Sequence, residues 1–434
     1  MNFMIPNTSE EKRPERQQLG PVSLEQQLGN HLAFRVLGNL AQGFEFKGRS
    51  GRSEISFPNE LEIFIAANPT DDIAVFVELE NELKELEFNA GEFELEQHFG
   101  LGHEAFLMIN LAKPLRRLGL PTMVHGAEAG GMVHSSILGH GPMLMIGLVD
   151  PSTNFSFPTA RQVMTSLPAD VENEELLRLP ITPYAFGGKF FGLYKANEND
   201  PLLATTPTLY NTAGALGADF HGRLFGNLLL YQFGVMNGAN ERSSDANEKK
   251  DYYAGLRLDL GESNFARFNI SGFAYWGNDT ARAPRASDPS RPGRLIDWRR
   301  YGLGANLTWR WLDLYGAYVW DKINDEDLPV LLRPHFDNTA SGLTLEADFL
   351  LSNKWLASLR YDSLDGGGLM ESSGATGVPG GLRANGAMLG AQARYYMRQN
   401  VSLYLRYQYN LEQDEESPLT SWVHGAMLGI DLDF

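Results

Sequence analysis

The chain has 434 residues, no cysteine, 54 acidic against 36 basic residues and a net charge of −18. Without thiols there are no disulfides, no thiolate metal sites and no covalently attached haem, and so acidic a balance argues against the basic face a nucleic-acid partner needs. Mean hydropathy is −0.27 with 45 glycines, and no run reaches the roughly eighteen apolar residues of a membrane helix.

Residues 1–17 are polar and charged, with no apolar core behind a basic stretch, so the expectation is a chain numbered from a trimmed form of an exported protein. In 23–42, Leu24, Leu28, Leu32, Val36 and Leu40 fall on one side of a helix. A short helix is therefore predicted, and residues 1–42 are read as a polar tail plus that helix. A coiled-coil stub would need more heptads.

From 43 to 434 the pattern changes to period two. Strands are predicted at 43–49, 59–67, 72–81, 102–111, 142–149, 207–221, 224–235, 251–260, 265–276, 298–309, 312–321, 340–350, 354–362, 386–396, 400–410 and 422–434. Ala254, Leu256, Leu258 and Leu260 alternate with Tyr253, Gly255, Arg257 and Asp259. Leu343, Leu345, Ala347 and Phe349 alternate with Thr344, Glu346 and Asp348, and Trp355, Ala357, Leu359 and Tyr361 alternate with Leu356, Ser358, Arg360 and Asp362. Val401, Leu403, Leu405, Tyr407 and Tyr409 alternate with Ser402, Tyr404, Arg406, Gln408 and Asn410. A soluble sandwich also alternates, but it rarely places so many aromatics on its greasy face. A closed membrane barrel requires them, because its outside meets lipid and its inside meets water.

Connections near 68–71, 222–223, 261–264, 310–311, 351–353 and 397–399 are short, and those between them are long. Strict alternation of short and long over the last eleven strands orients a barrel with short periplasmic turns. The exception is 112–141, long where a short turn is expected; two more strands there would make eighteen. Trp276, Trp298, Trp320 and Trp422 fall at one set of strand ends and Trp309, Trp311 and Trp355 at the other, as two interfacial girdles would give. The chain ends on Leu428, Ile430, Leu432 and Phe434 in alternation.

The terminal strand ending in Phe434, the turn asymmetry and the paired girdles together resemble the Gram-negative outer-membrane porins as a class, over about residues 43–434. The resemblance implies an all-β, up-and-down transmembrane barrel of sixteen strands, with the short helix on the periplasmic side. It also implies contact with outer-membrane lipid, a passive channel for small polar or charged solutes, and often a homotrimer.

Function then depends on the inner face. Arg257, Arg267, Arg360, Arg394 and Arg406 share inward parity and belong to the C-terminal half, whereas Glu78, Glu80 and Glu82 belong to the N-terminal half. Facing walls of opposite charge would set a transverse field across a water-filled passage. The alternative is that the arginines pair with Asp259, Glu346, Asp348 and Asp362 and simply fill the lumen. The long insertion 150–206 carries Arg161 and Lys189 as candidate constriction charges, if it enters the lumen as by analogy with porins; as an extracellular lid or docking surface it would not.

No catalytic reading survives. His98, His103, His125, His134 and His140 match no metal-ligand spacing, and His134 and Ser135, being adjacent on a strand, would point to opposite faces. No enzyme, metal or cofactor is expected. Two other classes remain open: a barrel sheathing a multihaem cytochrome in an electron conduit, and a soluble all-β binding protein.

Overall fold

The computed structural model describes residues 32–46, 49–70, 72–89, 92–118, 142–149, 215–225, 228–237, 249–262, 266–281, 294–323, 339–365, 386–398, 401–411 and 422–433. Sixteen strands run in chain order: β1 Leu32–Phe46, β2 Arg49–Thr70, β3 Ile73–Asn89, β4 Glu92–Asn110, β5 Met143–Val149, β6 Ala215–Leu224, β7 Leu229–Met236 and β8 Asp251–Glu262; then β9 Ala266–Ala281, β10 Arg294–Trp309, β11 Leu312–Ile323, β12 Thr339–Ser352, β13 Trp355–Asp365, β14 Gly386–Arg398, β15 Val401–Asn410 and β16 Trp422–Asp433. One short helix, α1 (Ala112–Arg117), follows β4 and starts where the Asn110 side chain accepts the Ala112 N–H at 2.9 Å.

Each strand pairs antiparallel with its sequence neighbours, and β1 closes on β16 through a register running from Arg35↔Asp433 to Phe46↔Trp422. Closure gives every strand a hydrogen-bonded neighbour on both sides, which is the condition for placing a sheet in hydrocarbon. Phe434 lies just outside the described residues.

The two faces are inverted relative to a soluble protein. Along β15, Leu405 is 58% exposed while its neighbour Arg406 is 0% exposed. The same alternation runs through Leu256 beside Arg257, Leu345 beside Glu346 and Leu359 beside Arg360, the apolar member exposed and the charged member buried each time. Period two alone produces this, since successive side chains leave opposite faces of a strand. The apolar exterior is bounded by aromatic clusters: Tyr301, Tyr318 and Trp320 towards one rim, with centroids 5.5 and 5.7 Å apart, and Trp309, Trp311 and Phe349 towards the other, at 6.5 and 6.1 Å.

The structure corrects the N-terminal reading. No helix occupies the described part of 23–42: Leu32, Val36 and Leu40 belong to β1, which seals the barrel, and Leu24 and Leu28 lie outside the described residues. Positions four apart share a face under period two just as they share a side of a helix, so a strand mimics helical spacing here. The first two hairpins also differ. Segments 50–58 and 82–101, read as loops, belong largely to long strands whose pairing continues to Phe46↔Arg49 and Asn89↔Glu92. Past the apolar band both faces meet water, so alternation fades while backbone pairing continues. The strand count is sixteen, and the β4–β5 connection opens with α1.

The exposed apolar face makes a direct prediction. Leu405→Arg should cost about 2–4 kcal/mol if the site is near the midplane, read as a lower denaturant midpoint for folding into lipid vesicles. Leu405→Phe should fold like the parent.

Candidate functional site: the inner wall of the barrel

Cross-strand register assembles the inward side chains of β9–β16 into continuous rows. One row reads Arg267, Thr308, Asp313, Asp348, Ser358, Gln392, Arg406, Met427. The next, further from the short turns, reads Asn306, Tyr315, Glu346, Arg360, Gly390, Gln408. Directly opposed side chains on one face come within contact distance, so such rows interact along their length.

The contacts divide the rows into an acidic and a basic band, side by side. On β11 and β12, Asp313 accepts hydrogen bonds from Asn306 Nδ2 at 2.7 Å, Thr308 Oγ1 at 3.0 Å and Tyr315 OH at 2.7 Å, beside Glu346 and Asp348. On β13–β15, Arg360 Nη1 lies 3.6 Å from Glu346 Oε2, with both side chains at most 1% exposed. Arg406 donates to Gln392 Oε1 at 2.7 and 3.1 Å, and its guanidinium lies 5.2 Å from the Tyr404 ring centroid. Arg394 donates to Asp431 at 3.0 Å, and Asp431 also meets Arg35 at 3.4 Å, so an ion triad lies across the β1–β16 closure. Asp348 Oδ1 and Oδ2, Ser358 Oγ, Gln392 Nε2 and both amide atoms of Gln408 are buried with no hydrogen-bond partner in the protein. Buried polar groups of this kind are matched by water in a hydrated interior.

A second cluster lines β6–β10 and was not singled out from the sequence. Tyr253 donates to Asp219 and accepts from Gln232 Nε2 at 3.2 Å, and His221 Nδ1 lies 2.6 Å from Asp219. Tyr275 stacks on Tyr253 at 6.1 Å and donates to Asp251 at 2.8 Å, with Arg300 opposite Tyr275 in register. Inward parity was legible for each; their mutual pairing was not, because it depends on which residue of one strand faces which residue of the next. Rings lie over inward glycines at Tyr253–Gly234, Phe273–Gly302 and Tyr404–Gly429, where a side chain would collide with the ring.

The remaining inner wall, β2–β5, carries Phe64, Phe76 and Phe106, stacked at 6.3 and 5.3 Å, with Met145 fully buried beyond them. In a ring of sixteen strands the strand eight places on is diametrically opposite, so β3 faces β11 and β4 faces β12. The apolar stack therefore faces the acidic band.

This geometry locates the residues anticipated from sequence. Arg360, Arg394 and Arg406 come together on β13–β15. Arg257, on β8, lies apart from them and meets Asp259 at 3.1 Å, which Arg223 also reaches at 3.0 Å. Arg267 sits exposed at the short-turn end of β9. The five arginines thus form two groups separated by β10–β12. Glu78 is inward on β3, opposite Phe64 in register, and Glu80 and Glu82 occupy positions of the same parity. Glu78 faces β11, which carries Asp313 rather than an arginine. Arg161, Lys189 and the 150–206 insertion lie outside the described residues. Among the described residues no group of His, Asp or Glu side chains is arranged to hold a metal ion.

No family model and no curated protein matches the chain. Among solved structures, it is similar to OprB of Pseudomonas putida in its high-pH structure, with 8% identity, a TM-score of 0.50 and coverage of 94% of this chain and 95% of that one. OmpF of Salmonella typhi in complex with daunomycin gives 13% identity and a TM-score of 0.49 over 93% and 97% of the two chains. An anion-selective porin from Comamonas acidovorans gives 12% and 0.46 over 93% and 98%. The chain has a porin-like barrel fold.

The Glu346–Arg360 pair is testable as a unit. Arg360→Leu, which leaves Glu346 buried without its cation, should destabilise the barrel by about 3–5 kcal/mol, whereas Arg360→Leu with Glu346→Leu should recover most of that loss. A denaturant titration of all four members of the cycle measures the coupling.

Proposed function

We propose that the chain is an outer-membrane channel that lets small polar or charged solutes diffuse passively through its barrel. The observation that carries this reading is the distribution of polarity: a closed sheet exposes leucine and aromatic residues outward and gathers Arg360, Arg394, Arg406, Glu346, Asp348, Gln392 and Gln408 inward. Ionised and amide groups on the inner face favour contact with water and polar solutes, and the apolar exterior favours lipid or, in part, other copies of the chain in a homotrimer.

The charge pattern supports a field that runs along the wall. Acidic side chains on β11–β12 lie beside basic ones on β13–β15, so a solute passing that wall meets opposite charges within two or three strand spacings, about 10–15 Å. Glu78 on the facing wall adds to the acidic side.

Planar-bilayer recording of the purified protein tests the reading, since an open passive channel conducts without partners. Ohmic steps are expected; a protein that inserts and stays silent in every solute tried would overturn it. Arg360→Gln with Arg406→Gln removes two cations from the basic band and keeps an amide at each position. The reversal potential in a salt gradient should then shift towards cation selectivity, most strongly at low ionic strength where the screening length is longest.

A further inference from the structure

We propose that the short-turn rim over β10–β14 is a docking surface for anionic phospholipid of the periplasmic leaflet, with Arg310, Lys354 and Arg398 engaging the headgroup phosphates. Arg310 lies in the β10–β11 turn, Lys354 in the β12–β13 turn, and Arg398 ends β14. Strand pairing continues to the rim: Leu350 N–H donates to Trp311 O at 2.7 Å and Tyr396 N–H to Lys354 O at 2.8 Å. The three cations therefore stand on one arc at intervals of two strands, about 10 Å.

Each cation adjoins exposed apolar side chains on the lipid side. Trp309 and Trp311 flank Arg310, Trp355 follows Lys354 and Met397 precedes Arg398; Leu351, at 66% exposed, stands between the first two groups. The rings form contacts along the arc, Trp309 with Trp311 and Trp355 with Tyr395 at 4.8 Å. An apolar arc alone would accept the chains of any lipid. Charge makes it selective: segments 309–312, 350–355 and 396–398 hold three cations and no carboxylate, in a chain whose net charge is −18.

The placement of Arg310 strengthens the argument. It has φ of 53° in a two-residue turn, since Trp309 pairs with Leu312. Such turns favour Gly or Asn at this position. An arginine is held there instead, its guanidinium 5.8 Å from the centroid of Trp309. Trp309 has the outward parity of Leu307 and Leu303, so the charge sits against the lipid face of the wall and not over the lumen. Basic side chains at a membrane surface attract anionic lipid, and the effect falls off within a screening length.

The test uses the full chain in detergent micelles, titrated with brominated-chain phosphatidylglycerol or with phosphatidylcholine of the same chains, while tryptophan fluorescence is read. Half-quenching is expected at a roughly tenfold lower mole fraction of phosphatidylglycerol. Arg310→Gln with Lys354→Gln and Arg398→Gln should abolish that preference, whereas Lys249→Gln, whose parent pairs with Asp297 at 3.1 Å beyond the opposite rim, should not. If the triple variant fails to fold, Lys354→Glu with Arg398→Glu leaves the Arg310 turn intact and should reverse the preference. Equal quenching by the two lipids, a preference that survives either set of substitutions, or full displacement by inorganic phosphate would overturn the proposal. None of these readouts depends on whether the barrel conducts.

Discussion

Every strand of this barrel pairs with a neighbour on both sides, and the β1–β16 seam makes that possible. In hydrocarbon an unmatched N–H or C=O costs several kcal/mol, so one open edge would forfeit more than any side-chain contact could restore. The first strand is therefore as constrained as the last. Its register irregularities and glycines are tolerated because main-chain pairing, not side-chain alternation, is what the seam must provide. The ion triad of Arg35, Asp431 and Arg394 crosses that seam from inside.

Closure also dictates where polarity goes. With lipid outside, charged side chains have only the interior, and a buried charge persists there only with a partner or water. The inner wall of β8–β16 meets this condition by matching charge locally: Arg360 with Glu346, Arg257 with Asp259, Arg394 with Asp431. Local matching limits any field across the lumen. What survives is the offset between the acidic band and the basic band.

Much of the fold was legible because period two is enforced wherever lipid touches the wall. Strands β8–β16 were located from alternation, and the tryptophans marked both interfaces. Legibility failed where that enforcement ends. In β1, residues four apart share a strand face as they would share a side of a helix, so Leu32, Val36 and Leu40 imitated a helical stripe. In β2–β4 the strands continue beyond the apolar band, and acidic residues such as Glu87 and Glu94 pair in register without any alternation to announce it. The inner wall was legible by parity but not by neighbour. Arg257 and Arg360 read as one basic set, yet they sit five strands apart with Asp313, Glu346 and Asp348 between them, and the partnership of Tyr253 with Asp219 spans two strands. A shift of one residue in register exchanges the faces, so such pairings need the structure.

The asymmetry of the interior connects these points. One quarter of the wall, β2–β5, offers stacked phenylalanines and methionine, and the strands facing it, β10–β13, offer carboxylates, amides and guanidinium groups. A uniformly polar lining would let water wet every surface equally; here the buried polar atoms without a partner in the protein, among them those of Asp348, Ser358 and Gln408, concentrate on β12–β15. Polar solutes would follow the same side, because leaving it for the phenylalanine wall exchanges hydrogen bonds for none. For a channel of the kind proposed, the path would thus be set less by the width of the lumen than by which strands can replace a solute's hydration.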